Sequence, residues 1–199
     1  MVAVVCGAAL LGGAAGLALR RFVRAQGADW PVWLLTAGPA ALWGALAAAF
    51  GVQPRLLPAA GLALCLWVAA CIDLRTHRIP NGVVLTTFGV GVAAQCLRAG
   101  LVPALPALAA GCGAGFLFSA LAAATRGGFG WGDAKLAAAM GCVLGPSAMV
   151  LALAATSLAG GVAASVLLLS GRRGLRDPLP FAPFFLAGGL VALGAAALR

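Results

Sequence analysis

The chain has no glutamate, and its four acids are all aspartates: Asp29, Asp73, Asp133 and Asp177. Acid-base chemistry here therefore has few candidates. Histidine is almost absent too. The one copy, His77, sits in a polar loop with no nucleophile elbow in the sequence, so a histidine-based triad has no local support and His77 reads as a solvated loop residue. The six cysteines (Cys6, Cys65, Cys71, Cys96, Cys112 and Cys142) lie inside apolar runs without a CxxC pair. That excludes a zinc ribbon and leaves small buried hydrophobes as the expectation. No metal and no other cofactor is expected. Charge is scarce as well: 9% of residues are charged, and 63% are hydrophobic. A soluble domain has about a quarter of its residues charged.

What is present is a series of long Ala/Leu/Val/Gly runs without period-two alternation. These predict an all-α, polytopic membrane bundle of about eight transmembrane helices rather than a β-barrel. The expected segments are Val2 to Leu19, Trp30 to Phe50, Leu56 to Ile72, Gly82 to Leu97, Pro103 to Ala124, Asp133 to Leu144, Ser147 to Ser170 and Phe181 to Leu198. Gly12 and Gly16 give a small-xxx-small spacing suited to close packing, and Pro39 predicts a kink. The first segment precedes its arginines, the reverse of a cleaved signal peptide, so it reads as a retained helix.

The net charge of +9 comes from short basic clusters between apolar runs. They form no basic face, so no nucleic-acid partner is expected and the lipid bilayer is the partner. Ten of the 13 basic residues fall in alternate loops: Arg20, Arg21, Arg24, Arg75, Arg78, Arg126, Lys135, Arg172, Arg173 and Arg176. Arg55, Arg98 and Arg199 fall in the others. The bias places the first set in the cytoplasm and both termini outside.

Asp73 and Asp133 then share the cytoplasmic side, each at a helix end. A carboxylate between apolar runs is expensive unless it faces protein or water, so it marks a functional site. Two close carboxylates share one proton. The ionised member takes a proton from water while the protonated one polarises a carbonyl. An intramembrane proton relay uses the same groups, so a proton-coupled transporter or ion pathway is the alternative. The glycines around Asp133, notably Gly130 and Gly132, let backbone approach backbone, and an irregular loop there suits an extended substrate. Lys135 lies two positions from Asp133 and does not face it on a helix. It reads as a snorkelling interface residue, with substrate contact the other option. Pro80 sets the loop exit, and Asn81 is expected to cap the next helix. Asp29 reads as an N-cap or interface residue and Asp177 as a loop acid, both non-catalytic.

Two stretches carry a family resemblance. Ile72-Asp73-Leu74-Arg75-Thr76-His77-Arg78-Ile79-Pro80-Asn81 and Gly128-Phe129-Gly130-Trp131-Gly132-Asp133-Ala134-Lys135-Leu136 resemble the motifs of the type IV prepilin peptidases, membrane aspartic proteases of the GxGD class. Pro180-Phe181-Ala182-Pro183-Phe184 resembles a further family pattern. The resemblance covers 62–198, a prepilin-peptidase-like helical core, and leaves 1–61 as an N-terminal pair of helices. It implies cleavage of the short basic leader from prepilin or pseudopilin precursors in a prokaryotic inner or plasma membrane, at its cytoplasmic face, with Asp73 and Asp133 as the catalytic pair. Longer members carry a cysteine-rich insert after the first helix and also methylate the new amino terminus. Here the loop from Arg20 to Asp29 has no cysteine, so the resemblance implies a short form without methyltransferase activity.

Overall fold

The structure, a computed structural model, describes residues 1–99, 104–125, 129–171, 174, 177 and 179–198. Among the described residues nine helices occur: α1 (Val2–Ala18), α2 (Arg20–Ala25), α3 (Val32–Phe50), α4 (Leu56–Thr76), α5 (Asn81–Ala99), α6 (Leu105–Ala124), α7 (Trp131–Leu144), α8 (Pro146–Leu169) and α9 (Ala182–Ala197). The eight expected apolar segments all appear, in order. The short α2 continues the first of them past a turn at Leu19. Five stretches are long and apolar enough to cross a bilayer: Val2–Ala25, Val32–Phe50, Leu56–Thr76, Leu105–Ala124 and Pro146–Leu169. Helix α7 has 14 residues and α9 has 16, below or at the edge of the spanning length.

The hydrophobic effect does not drive helices together inside lipid, so packing quality decides the arrangement. Helix α4 is the hub, contacting α3, α5 and α9. Its Leu62, Ala63, Leu66 and Ala69 are fully buried. Helix α8 lies at the edge and turns Val150, Leu158, Val162 and Val166 outward, as a lipid-facing helix does.

Glycines set the closest approaches. Pro39 has no N–H, which leaves the Leu35 carbonyl one turn earlier without its intrahelical donor. Gly16 of α1 packs directly on that carbonyl, and a Cβ there would overlap it. The Gly12/Gly16 spacing is therefore the α1–α3 seam. Gly111 of α6 meets Gly141 of α7 in the same way, where a Cβ on Gly141 would lie 2.6 Å from the Gly111 Cα.

Some local expectations are corrected. Asp29 caps no helix: α3 begins beyond it, after Pro31, and Asp29 accepts a hydrogen bond from Arg24 Nε at 2.7 Å. Trp30, expected to open the second segment, precedes α3: its Nε1 donates to the Cys71 carbonyl at 2.7 Å, and the Arg75 guanidinium lies 4.3 Å over its ring. Cys65, Cys71 and Cys142 are buried as expected, whereas Cys6, Cys96 and Cys112 face outward.

Asp73 meets Ala182, Lys135 meets Asn81, Phe118 meets Phe185, and the end of α8 lines one cavity with Asp133. The ends of α4, α6 and α8 thus gather with the starts of α5, α7 and α9 at one end of the bundle. Arg20, Arg21, Arg24, Arg75, Arg78 and Lys135 belong to that end, and Arg55 to the opposite one. Arg126, Arg172, Arg173, Arg176 and Arg199, and the side chain of Arg98, lie outside the described residues.

Candidate active site

Asp73 lies in the last turn of α4, and burial leaves only 5% of it exposed. A buried carboxylate needs a donor. The sequence supplies one from 109 residues away: the Ala182 N–H donates to Asp73 Oδ2 at 2.9 Å. Ala182 opens α9, so this N–H is one of the donors that a helix start leaves unpaired, at the positive end of the helix dipole. The chain leaves α4 immediately afterwards. His77 takes a left-handed conformation (φ 52°, ψ 37°), and its N–H donates to the Asp73 carbonyl at 2.8 Å. The solvated reading of His77 fits its exposure, but its backbone also ends the helix.

Asp133 lies in the first turn of α7, outside the five crossing stretches, and is 8% exposed. Gly130 is the N-cap, in an extended conformation (φ −77°, ψ 135°). Asp133 is three residues later, where a capping-box side chain reaches back to the N-cap backbone. It does so here: a Cβ on Gly130 would lie 2.9 Å from Asp133 Oδ2. A side chain at 130 would push the Asp133 carboxylate from its present position. Asp133 Oδ1 is buried and has no hydrogen-bond partner. Burial, then the negative charge of Asp73, push the Asp133 carboxyl up to about 7, opposed by the hydrogen bond with the Gly130 backbone.

The two motif segments also touch. A Cβ on Gly132 would lie 3.1 Å from Ile79 Cβ. Lys135 Nζ donates to Asn81 Oδ1 at 3.2 Å, a contact across α7 and α5. Asn81 was expected to cap α5. It lies instead inside the first turn, and the Pro80 carbonyl accepts the N–H groups of Val83 and Val84. Lys135 is solvent-exposed as the snorkelling reading required, but its ammonium is tied to Asn81 and so fastens the two segments. Lys135→Met and Asn81→Ala are each expected to lower thermal stability in detergent by about 0.5–1 kcal/mol. The double variant should lose no more than the worse single one, as a shared contact requires. Additive losses would mean that the two residues act separately.

Sequence reasoning missed the phenylalanine wall behind the acids. Phe118 of α6, Phe129 before α7, and Phe181 and Phe185 at the start of α9 form a chain of tilted contacts, with ring centroids 4.7 Å apart for Phe129–Phe181 and 5.2 Å for Phe118–Phe129. The signal was present in Pro180-Phe181-Ala182-Pro183-Phe184, but no local rule says which helix that segment meets. Gly127 and Gly128 of the glycine-rich loop lie outside the described residues.

Fold and site together define a class: an all-α, multi-pass membrane protein that gathers two buried aspartates from distant helices at one end of its bundle. Comparison with known proteins names the family. The chain belongs to the type IV leader peptidase family, which it matches over residues 60–165. A prepilin leader peptidase/N-methyltransferase of Bacillus subtilis (strain 168) is 36% identical over 160 residues, 77% of this chain and 61% of that protein. One of Burkholderia pseudomallei (strain 1026b) is 35% identical over 173 residues, 84% of this chain and 55% of that protein. The chain spans less than two thirds of the length of these relatives. No solved structure matches it.

Proposed function

We propose that this protein is a membrane-embedded aspartic endopeptidase that removes the leader from prepilin-like precursors at the cytoplasmic membrane face. The observation that carries the reading is the pair of buried acids at one end of the bundle. Asp133 has an unpartnered oxygen and a carboxyl that titrates near neutrality. Asp73 is held by the N–H at the start of α9. Membership of the leader peptidase family and the printed activity of its relatives support the substrate class. The basic residues at the same end support the cytoplasmic side.

In this reading the pair holds one proton, on Asp133. Asp73 accepts a proton from water as the water oxygen attacks the scissile carbonyl. Asp133 gives its proton to the carbonyl oxygen, and a tetrahedral diol forms. The proton on Asp73 then passes to the leaving nitrogen as the C–N bond breaks, while Asp133 recovers its own from the diol. Neither a metal nor a covalent nucleophile is needed. Transport through the same acids has weaker support, because both lie at one end of the bundle and broken mid-bilayer helices, the transporter signature, are not what holds them.

The test is cleavage of a co-expressed prepilin-like precursor, read as the mass of the new amino terminus. Its pH profile carries a sign. The active pair needs its last proton, so cleavage should fall as pH rises through about 7, the value to which Asp133 is pushed. The loss is set by the pair and not by one residue. An uncleaved precursor, or activity that climbs steadily to pH 9, would sink the dyad.

A further inference from the structure

Beside Asp133 a cavity of about 310 Å³ opens between the start of α7, the end of α8 and the segment that enters α9. Two of the chain's four acids line it, Asp133 and Asp177. No lysine or arginine stands among its described lining residues. The Gly174 N–H donates to Asp177 Oδ2 at 2.7 Å, which fixes that carboxylate at the mouth. The second acid points to a ligand by itself: Asp133 is more than nine-tenths buried, and its Oδ1 has no partner.

Apart from Ser165 the rest of the wall is apolar, with Leu168 and the touching pair Phe129 and Phe181 among its residues. A hydrated metal ion has little use for such walls, since hard cations are held by many oxygens. A long aliphatic stem that ends in a cation fits both surfaces at once. We propose that this cavity is the subsite for a lysine or arginine side chain of the substrate, next to the bond that is cut, with Asp177 as its specificity-determining carboxylate. The inference rests on the peptidase reading, because the position of the subsite is defined by Asp133. Asp177, which sequence reasoning left as a non-catalytic loop acid, keeps that status as to chemistry and gains a role in selection.

The experiment uses the full chain in proteoliposomes and two precursors that differ at one position near the cleavage site, lysine in one and glutamine in the other. Wild-type protein should cleave the lysine form with the higher kcat/KM. Asp177→Asn should reduce that preference by about fivefold, the scale of a partly exposed charge pair. Asp177→Lys should reverse it in favour of the glutamine precursor, since like charges then meet. Asp177→Glu should restore it, which a merely structural role would not do. Equal kcat/KM for the two precursors, or a preference that survives in Asp177→Asn, overturns the subsite and leaves the peptidase reading intact. Binding to Asp73→Asn protein separates the two ideas in the other direction. If the wild type cleaves neither precursor but the variant binds the lysine form better, and Asp177→Asn in that background erases the difference, the subsite stands and the peptidase reading falls. No cleavage and no binding preference overturns both.

Discussion

Asp73→Asn and Asp133→Asn are each expected to remove precursor cleavage almost completely, by roughly a thousandfold or more, with folding and insertion retained. Removing one member of a unit that acts together costs about as much as removing both, so the double variant should be no worse than either single one. The structure also separates the two in a second measurement. Asparagine at 73 can still accept the Ala182 N–H through its amide oxygen, so the α4–α9 contact persists. Asparagine at 133 resembles the protonated acid, and it removes a charge that burial and Asp73 both penalise. Asp133→Asn should therefore keep or raise the thermal stability of the detergent-solubilised protein above pH 7, and that stability should no longer depend on pH near neutrality. Substantial cleavage by either variant would defeat the two-aspartate mechanism.

The second large effect is mechanical. Gly141→Ala places a methyl group 2.6 Å from the Gly111 Cα, and that neighbour is backbone, which cannot rotate aside. Helices α6 and α7 must part. Overpacking of this kind costs about 1–3 kcal/mol. Because α7 carries both Asp133 and Lys135, the shift also displaces the acid, and a misplacement of about 1 Å can cost a hundredfold in rate. Gly113→Ala is the control. It is on the same α6, but its added methyl meets nothing within 4 Å. It should leave melting temperature and cleavage unchanged. Equal behaviour of the two variants would mean that the α6–α7 seam does not position the site.

The helices were legible because apolar runs long enough to cross a bilayer have few alternatives, and their order came through intact. The place of Asp73 and Asp133 at helix ends was legible for a similar reason, since each stands where an apolar run stops or starts. Asn81 was misread because a cap residue and a first-turn residue look alike in sequence, and only Lys135, 54 residues on, shows which hydrogen bond the amide makes. Of the two readings of Asp29 the cap failed, because α3 starts after Pro31 and the carboxylate pairs with Arg24 instead.

By itself the sequence determined the class of fold and singled out two acids at helix ends, because composition and helix length act locally. Only the tertiary structure decided what each acid touches. The start of α9 reaches Asp73 across 109 residues, Gly111 and Gly141 let α7 settle against α6, and Asp133 is left with a bare oxygen beside a cavity. Those contacts follow from which helices lie side by side. In a chain whose helices are nearly all apolar around their circumference, backbone approach at glycine sets the neighbours, and no single helix records them.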